Sequence, residues 1–135
     1  MTGDSDGSNE NDSGSGGDGA RVAPAPLLHD AASRPDLEDW GPLAEATGPE
    51  MATSGITLWD DGSGTEAGVW ECTAGPSHWQ LERNEFVHVL SGTMTVTPDG
   101  GEPTEVRSGD TLVFPKGWSG TWHIHETLRK LYVLF

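Results

Sequence analysis

The chain has 135 residues, of which 33% are hydrophobic, and its mean hydropathy is -0.48, so six Trp and three Phe must supply much of one small core. Twenty-two acidic residues against seven basic ones give a formal net charge of -15, which excludes a nucleic-acid partner because no surface can gain much from counterion release. No apolar run approaches the roughly 20 residues of a membrane span, and Cys72 is the only cysteine, which excludes an intramolecular disulfide.

Residues 1–20 are almost wholly Gly, Ser, Asp, Asn, Glu and Thr, a composition too polar to offset chain entropy, and they read as a disordered acidic tail. Acids also stand there where a signal peptide would carry bases, so the protein is expected to be cytoplasmic. Acidity continues through the rest of the chain, and only Lys116 and Lys130 are lysines. That balance reads as a surface suited to a salt-rich cytoplasm, with ordinary solubility as the alternative.

Residues 21–51 carry Pro24, Pro26, Pro35, Pro42 and Pro49, which break any long helix. Leu27, Leu28, Leu37, Trp40 and Leu43 make the segment too apolar for a free linker. It is expected to lie as an extended arm, with a turn around Asp36 to Trp40, against the barrel or a second subunit.

From Gly55 onward, short β-rich runs are separated by Gly, Asp and Pro. The predicted strands are Ile56–Trp59, Val69–Thr73, His78–Leu81, Phe86–Leu90, Thr93–Thr97, Thr104–Arg107, Thr111–Phe114, Thr121–Ile124 and Leu128–Leu134, with no helix among them. Pro98 to Gly101 predict a hairpin turn, since Asp and Gly tolerate positive φ. Thr93, Thr95 and Thr97 alternate with Met94 and Val96, the period of a strand with one wet face.

Two segments resemble the cupin superfamily. The first is Glu85-Phe86-Val87-His88-Val89-Leu90-Ser91-Gly92, which is similar to the second half of the first cupin motif; the second, Gly109-Asp110-Thr111-Leu112-Val113-Phe114-Pro115-Lys116-Gly117, is similar to the start of the second motif. Val69 to Gly75, Trp118 to Trp122 and Glu126 to Val133 further resemble small single-domain cupins grouped with the (S)-ureidoglycine aminohydrolase cupin domain. The resemblance implies an all-β, RmlC-like jelly-roll barrel over residues 52–135, a homodimer, and a small-molecule ligand of the ureide or nitrogenous type.

Metal-binding cupins offer two histidines one residue apart, a glutamate a few residues on, and a third histidine in the second motif. The resemblance puts His78 and Gln80 at the paired positions, Glu85 at the carboxylate and Gly120 at the third histidine. His78, Gln80 and Glu85 are therefore the candidate metal ligands, for Zn, Mn, Fe or Ni without distinction. The incomplete set favours a metal-free pocket, with Glu85 buried on hydrogen-bond partners such as Thr121 and Gln80 and with Trp122 filling the interior. Strand parity from Gly120 places Trp122 and Ile124 inward and His123 and His125 outward, and it puts His88 opposite to Glu85.

Trp70, Trp79, Trp118 and Trp122 read as core packing before a ligand wall, and Cys72 as a small buried residue rather than a nucleophile. Two functions stay open. One is a cupin acting on a small molecule, with Glu85 as general base or ligand and His78 as ligand or acid; the other is a non-catalytic, metal-free binding or dimerisation module.

Overall fold

The computed structural model describes residues 21–135; the predicted tail, residues 1–20, lies outside the described residues. Eight strands follow one another: β1 (Glu38–Pro42), β2 (Ala52–Asp60), β3 (Glu66–Cys72), β4 (Gly75–Gln80), β5 (Glu85–Pro98), β6 (Thr104–Arg107), β7 (Thr111–Phe114) and β8 (Ser119–Leu134). All pairings are antiparallel, in the order β1-β2-β3-β8-β5-β6, with β4 on β8 and β7 on β5.

The long strands β5 and β8 pair along almost their whole lengths and serve two sheets each. The last residues of β8 pair with β3 and its first residues with β4; the start of β5 pairs with β7 and its later part with β6. The result is the folded-over, jelly-roll arrangement of a cupin barrel. The predicted strands Phe86–Leu90 and Thr93–Thr97 are one strand, because Gly92 takes φ 89° and absorbs a register shift where a break was expected. A side chain at Gly92 would meet the Thr127 carbonyl oxygen 2.2 Å from its Cβ, so the bulge fits glycine alone. Thr121–Ile124 and Leu128–Leu134 likewise join into β8.

The arm differs from its predicted form. Its turn lies at Asp30, which has φ 55° and whose carbonyl accepts from the Ser33 and Arg34 amides, and Glu38–Pro42 is an edge strand on β2. Pro42 suits an edge, where its missing N–H leaves no ladder bond unmade. The Trp40 ring lies so close to Gly55 that a Cβ there would come within 2.5 Å of it, and the Arg129 guanidinium donates to the Ala31 carbonyl at 2.9 Å. The arm is tied to β4 as well, where the Thr47 amide donates to the Pro76 carbonyl at 3.0 Å and the His78 amide to the Glu45 carbonyl at 3.1 Å.

Alternation along the strands sets the interior. Val87, Val89, Met94, Trp122, Ile124, Leu128 and Phe114 are buried, together with Met51 from the end of the arm. The hairpin after β5 closes with the Gly101 amide on the Pro98 carbonyl, as expected for Pro98 to Gly101. The two turns next to the cupin-like motifs hold each other: the Gly117 amide donates to the Leu81 carbonyl, and the Lys116 amide to the Asn84 side-chain oxygen. Those bonds fix the start of β5, where Glu85 sits.

Candidate functional site

On β8 the residues Leu128, Lys130 and Tyr132 face inward, and Lys130 lies between Trp70 of β3 and Val89 of β5 in register. Glu85, the first residue of β5, also points inside. The Lys130 ammonium donates to Glu85 Oε2 at 2.7 Å, with the two side chains 4% and 7% exposed. Desolvating two charges costs several kcal/mol per ion, by order of magnitude, so such a pair persists only with good geometry and further partners. Those partners are aromatic: Lys130 Nζ sits 4.4 Å from the ring centroids of both Trp70 and Trp122.

Trp122 is the hub of the aromatic interior. Trp79 stacks on it at 4.4 Å, Trp70 meets it edge-on at 6.4 Å, and Phe114 lies 5.0 Å away on another side. Its indole N–H is buried and has no acceptor among the described residues.

Over the ion pair lies a cavity of about 390 Å³. Its walls include Trp40 and Glu45 from the arm, Glu66 and Trp70 from β3, Trp79 and Gln80 from β4, Glu82 and Arg83 from the following turn, and Trp122, Lys130 and Tyr132 from β8. This volume suits a small ligand. The Tyr132 hydroxyl donates to Glu66 Oε2 at 2.7 Å; burial, and then that carboxylate, push its pKa above the usual tyrosine range and keep it a neutral donor. Glycine at position 68 lets the ring approach, since a Cβ there would lie 3.0 Å from the Tyr132 oxygen. Burial also pushes the Cys72 thiol up to about 11, against the opposing pull of Lys130, so the fully buried sulfur is an inert core group at neutral pH.

Of the residues singled out in the sequence, the structure brings Glu85, Gln80 and Trp122 to this cavity. His78 is elsewhere. Ser77 and Trp79 take the inner face of β4, so His78 is turned outward, where its Nε2 lies 3.1 Å from Oδ1 and 3.2 Å from Oδ2 of Asp99. Asp99 also accepts from the Ser119 hydroxyl at 2.5 Å, and that bond, followed by His78, holds its carboxyl below the usual range. Thr121 is half-buried, opposite His78 and Thr97 in register, and does not line the cavity. His123 and His125 are exposed on the outer face, and His88 bonds Thr111 at 2.9 Å on the side away from Glu85.

A transition metal does not fit this donor arrangement. The Glu85 carboxylate is engaged by an ammonium, His78 is held outside by Asp99, and Gln80 alone offers too weak a ligand. No group of three or more His, Cys, Asp or Glu among the described residues is placed to hold a metal ion.

Sequence reasoning passed over Lys130, Tyr132 and Glu66, and it read Trp70 and Trp79 as core ahead of wall. One signal was present: Lys130 shares the strand parity of Leu128 and Tyr132, and a lysine at an inward position demands an acid inside. Trp118, the fourth tryptophan considered, packs against Phe114 at 4.9 Å and takes no part in the cavity.

An antiparallel jelly-roll enclosing a Trp-walled cavity with a buried ion pair defines a small cupin with an interior pocket. The chain belongs to the EutQ-like cupin domain family, whose model matches residues 60–132, more than half of the chain. Among solved structures it is similar to a DUF861-family protein of unknown function from Pseudomonas syringae pv. tomato, with a TM-score of 0.67 and 21% identity over 73% of this chain and 44% of that one. The Clostridium difficile EutQ protein matches with a TM-score of 0.56 and 21% identity, over 67% of this chain and 75% of its own. A DUF1255 protein from Acidithiobacillus ferrooxidans matches with a TM-score of 0.55 and 22% identity, over 78% and 98%. These likenesses concern the fold, and this chain spans under half the length of the Pseudomonas protein. No curated protein matches the chain.

Proposed function

We propose that this protein binds a small organic molecule in the barrel cavity without a metal, with the Lys130–Glu85 pair as its polar floor and tryptophans as its walls. The observation that carries this reading is the buried 2.7 Å ion pair lining a cavity. Well-packed apolar residues replace such pairs elsewhere at no loss of stability, so a pair that faces an opening is better explained by what it meets there than by folding. Its charge-assisted donors and acceptors orient polar groups of a ligand, while the indole faces take up the apolar body.

The test is a screen of metabolites below about 200 Da, a size suited to this volume, with ureides among them. Melting temperature and tryptophan fluorescence of the full chain serve as readouts, since four of the six tryptophans line the cavity. A ligand at one hundred times its Kd is expected to add about 2.7 kcal/mol of stability. The Glu85→Leu/Lys130→Met double variant should fold and lose that gain. Binding that survives intact in the double variant contradicts the proposal, as does a screen in which nothing binds.

A further inference from the structure

Resting on that reading of the pocket, we infer that the ligand is a small organic cation, an alkylammonium compound. Six charged residues line the cavity, and four of them are carboxylates: Glu45, Glu66, Glu82 and Glu85, against Arg83 and Lys130. Both cations are already engaged. Lys130 is neutralised by Glu85 at 2.7 Å, and Arg83 donates to the Gly64 carbonyl at 3.0 Å. Three carboxylates and one arginine are left to face a ligand, a balance that repels anions and attracts cations to the cavity.

The aromatic wall has the same preference. Indole faces attract cations through their quadrupole, and this wall already holds one, the Lys130 ammonium 4.4 Å from two ring centroids. Trp40 and Trp79 line the same cavity, and neither has a cation over its ring among the described residues. Glu66 lines the same cavity, half-buried and held by the Tyr132 hydroxyl on Oε2. An ammonium lodged between these rings and that carboxylate meets both kinds of attraction, and an anion of the same shape meets neither.

The experiment compares three probes of one shape and different charge on the full chain by calorimetry and tryptophan fluorescence: choline, its neutral isostere 3,3-dimethyl-1-butanol, and the anion 3,3-dimethylbutanoate. Choline is expected to bind about tenfold more tightly than the alcohol, with the anion weaker still. Glu66→Gln, which keeps an acceptor for Tyr132, should weaken choline several-fold and leave the alcohol unchanged. Should the alcohol or the acid bind as tightly as choline, the cation assignment is overturned while the pocket stands. Failure of all three overturns the assignment as well, and the pocket is then judged separately by the wider screen.

Discussion

Lys130 and Glu85 are each tolerable inside the barrel only because the other is present. Removing one partner leaves an uncompensated buried charge, so Lys130→Met alone is expected to cost about 3–5 kcal/mol in urea unfolding. The Glu85→Leu/Lys130→Met double variant should return to within about 1 kcal/mol of the parent or exceed it. Additive losses would show that the two groups do not meet. Titration gives a second check, at the alkaline end. The raised pKa of Cys72, about 11 against 9.0 unperturbed, means that the folded protein keeps a proton the unfolded chain gives up, and Tyr132 is raised in the same direction. The stability that Cys72 contributes in this way is therefore fully present below pH 9 and is lost as pH climbs through 11; Cys72→Ala should flatten that decline, and an unchanged slope would contradict the assignment. At this scale the sequence was only partly readable. Glu85 was found because its spacing to Gly92 belongs to a motif, whereas a motif offset carried back across the Glu82–Asn84 turn does not preserve strand parity, and His78 landed on the outer face. Lys130 was missed because a lysine in a strand is by habit solvated.

Among the elements, the bulge in β5 does most to shape the barrel, since it lets one strand belong to two sheets. Gly92→Ala combines a positive φ with a Cβ 2.2 Å from a carbonyl, and is expected to cost more than the 1–3 kcal/mol, roughly, of backbone strain alone. Gly100→Ala, with φ 74° and nothing within 4 Å of its Cβ, serves as the comparison and should cost less; equal losses in chemical denaturation would argue against the bulge as the joint. The strands themselves were largely legible, because alternation and turn residues are local signals. What was hidden was continuity: Gly92 has the composition of a break, and only the partner strand β8 shows that the ladder carries on through it. β1 was hidden for a related reason, since Pro35 and Pro42 flank a segment with no alternating pattern, and its strand character comes from pairing with β2 and from Trp40 against Gly55.

For the molecule as a whole, a net charge of -15 sets self-repulsion against the compact state, and salt screens it over a Debye length of about 3 Å at 1 M. The melting temperature is expected to rise steadily between low salt and molar KCl, as suits a salt-rich setting. A flat or falling curve in a calorimetric series would remove that proposal without touching the pocket. Acidity was plain in the composition; its concentration on the cavity wall, where four carboxylates gather around four tryptophans, depends on the arm and four strands coming together and was not.

The buried ammonium on which the pocket is built can be observed directly, because the chain has only two lysines and Lys116 is exposed. A nitrogen-15 spectrum of the lysine ammonium groups should contain one slowly exchanging signal, shifted upfield by the Trp70 and Trp122 rings and moved by a cavity ligand. Two signals alike in position and in rapid exchange with water would contradict it.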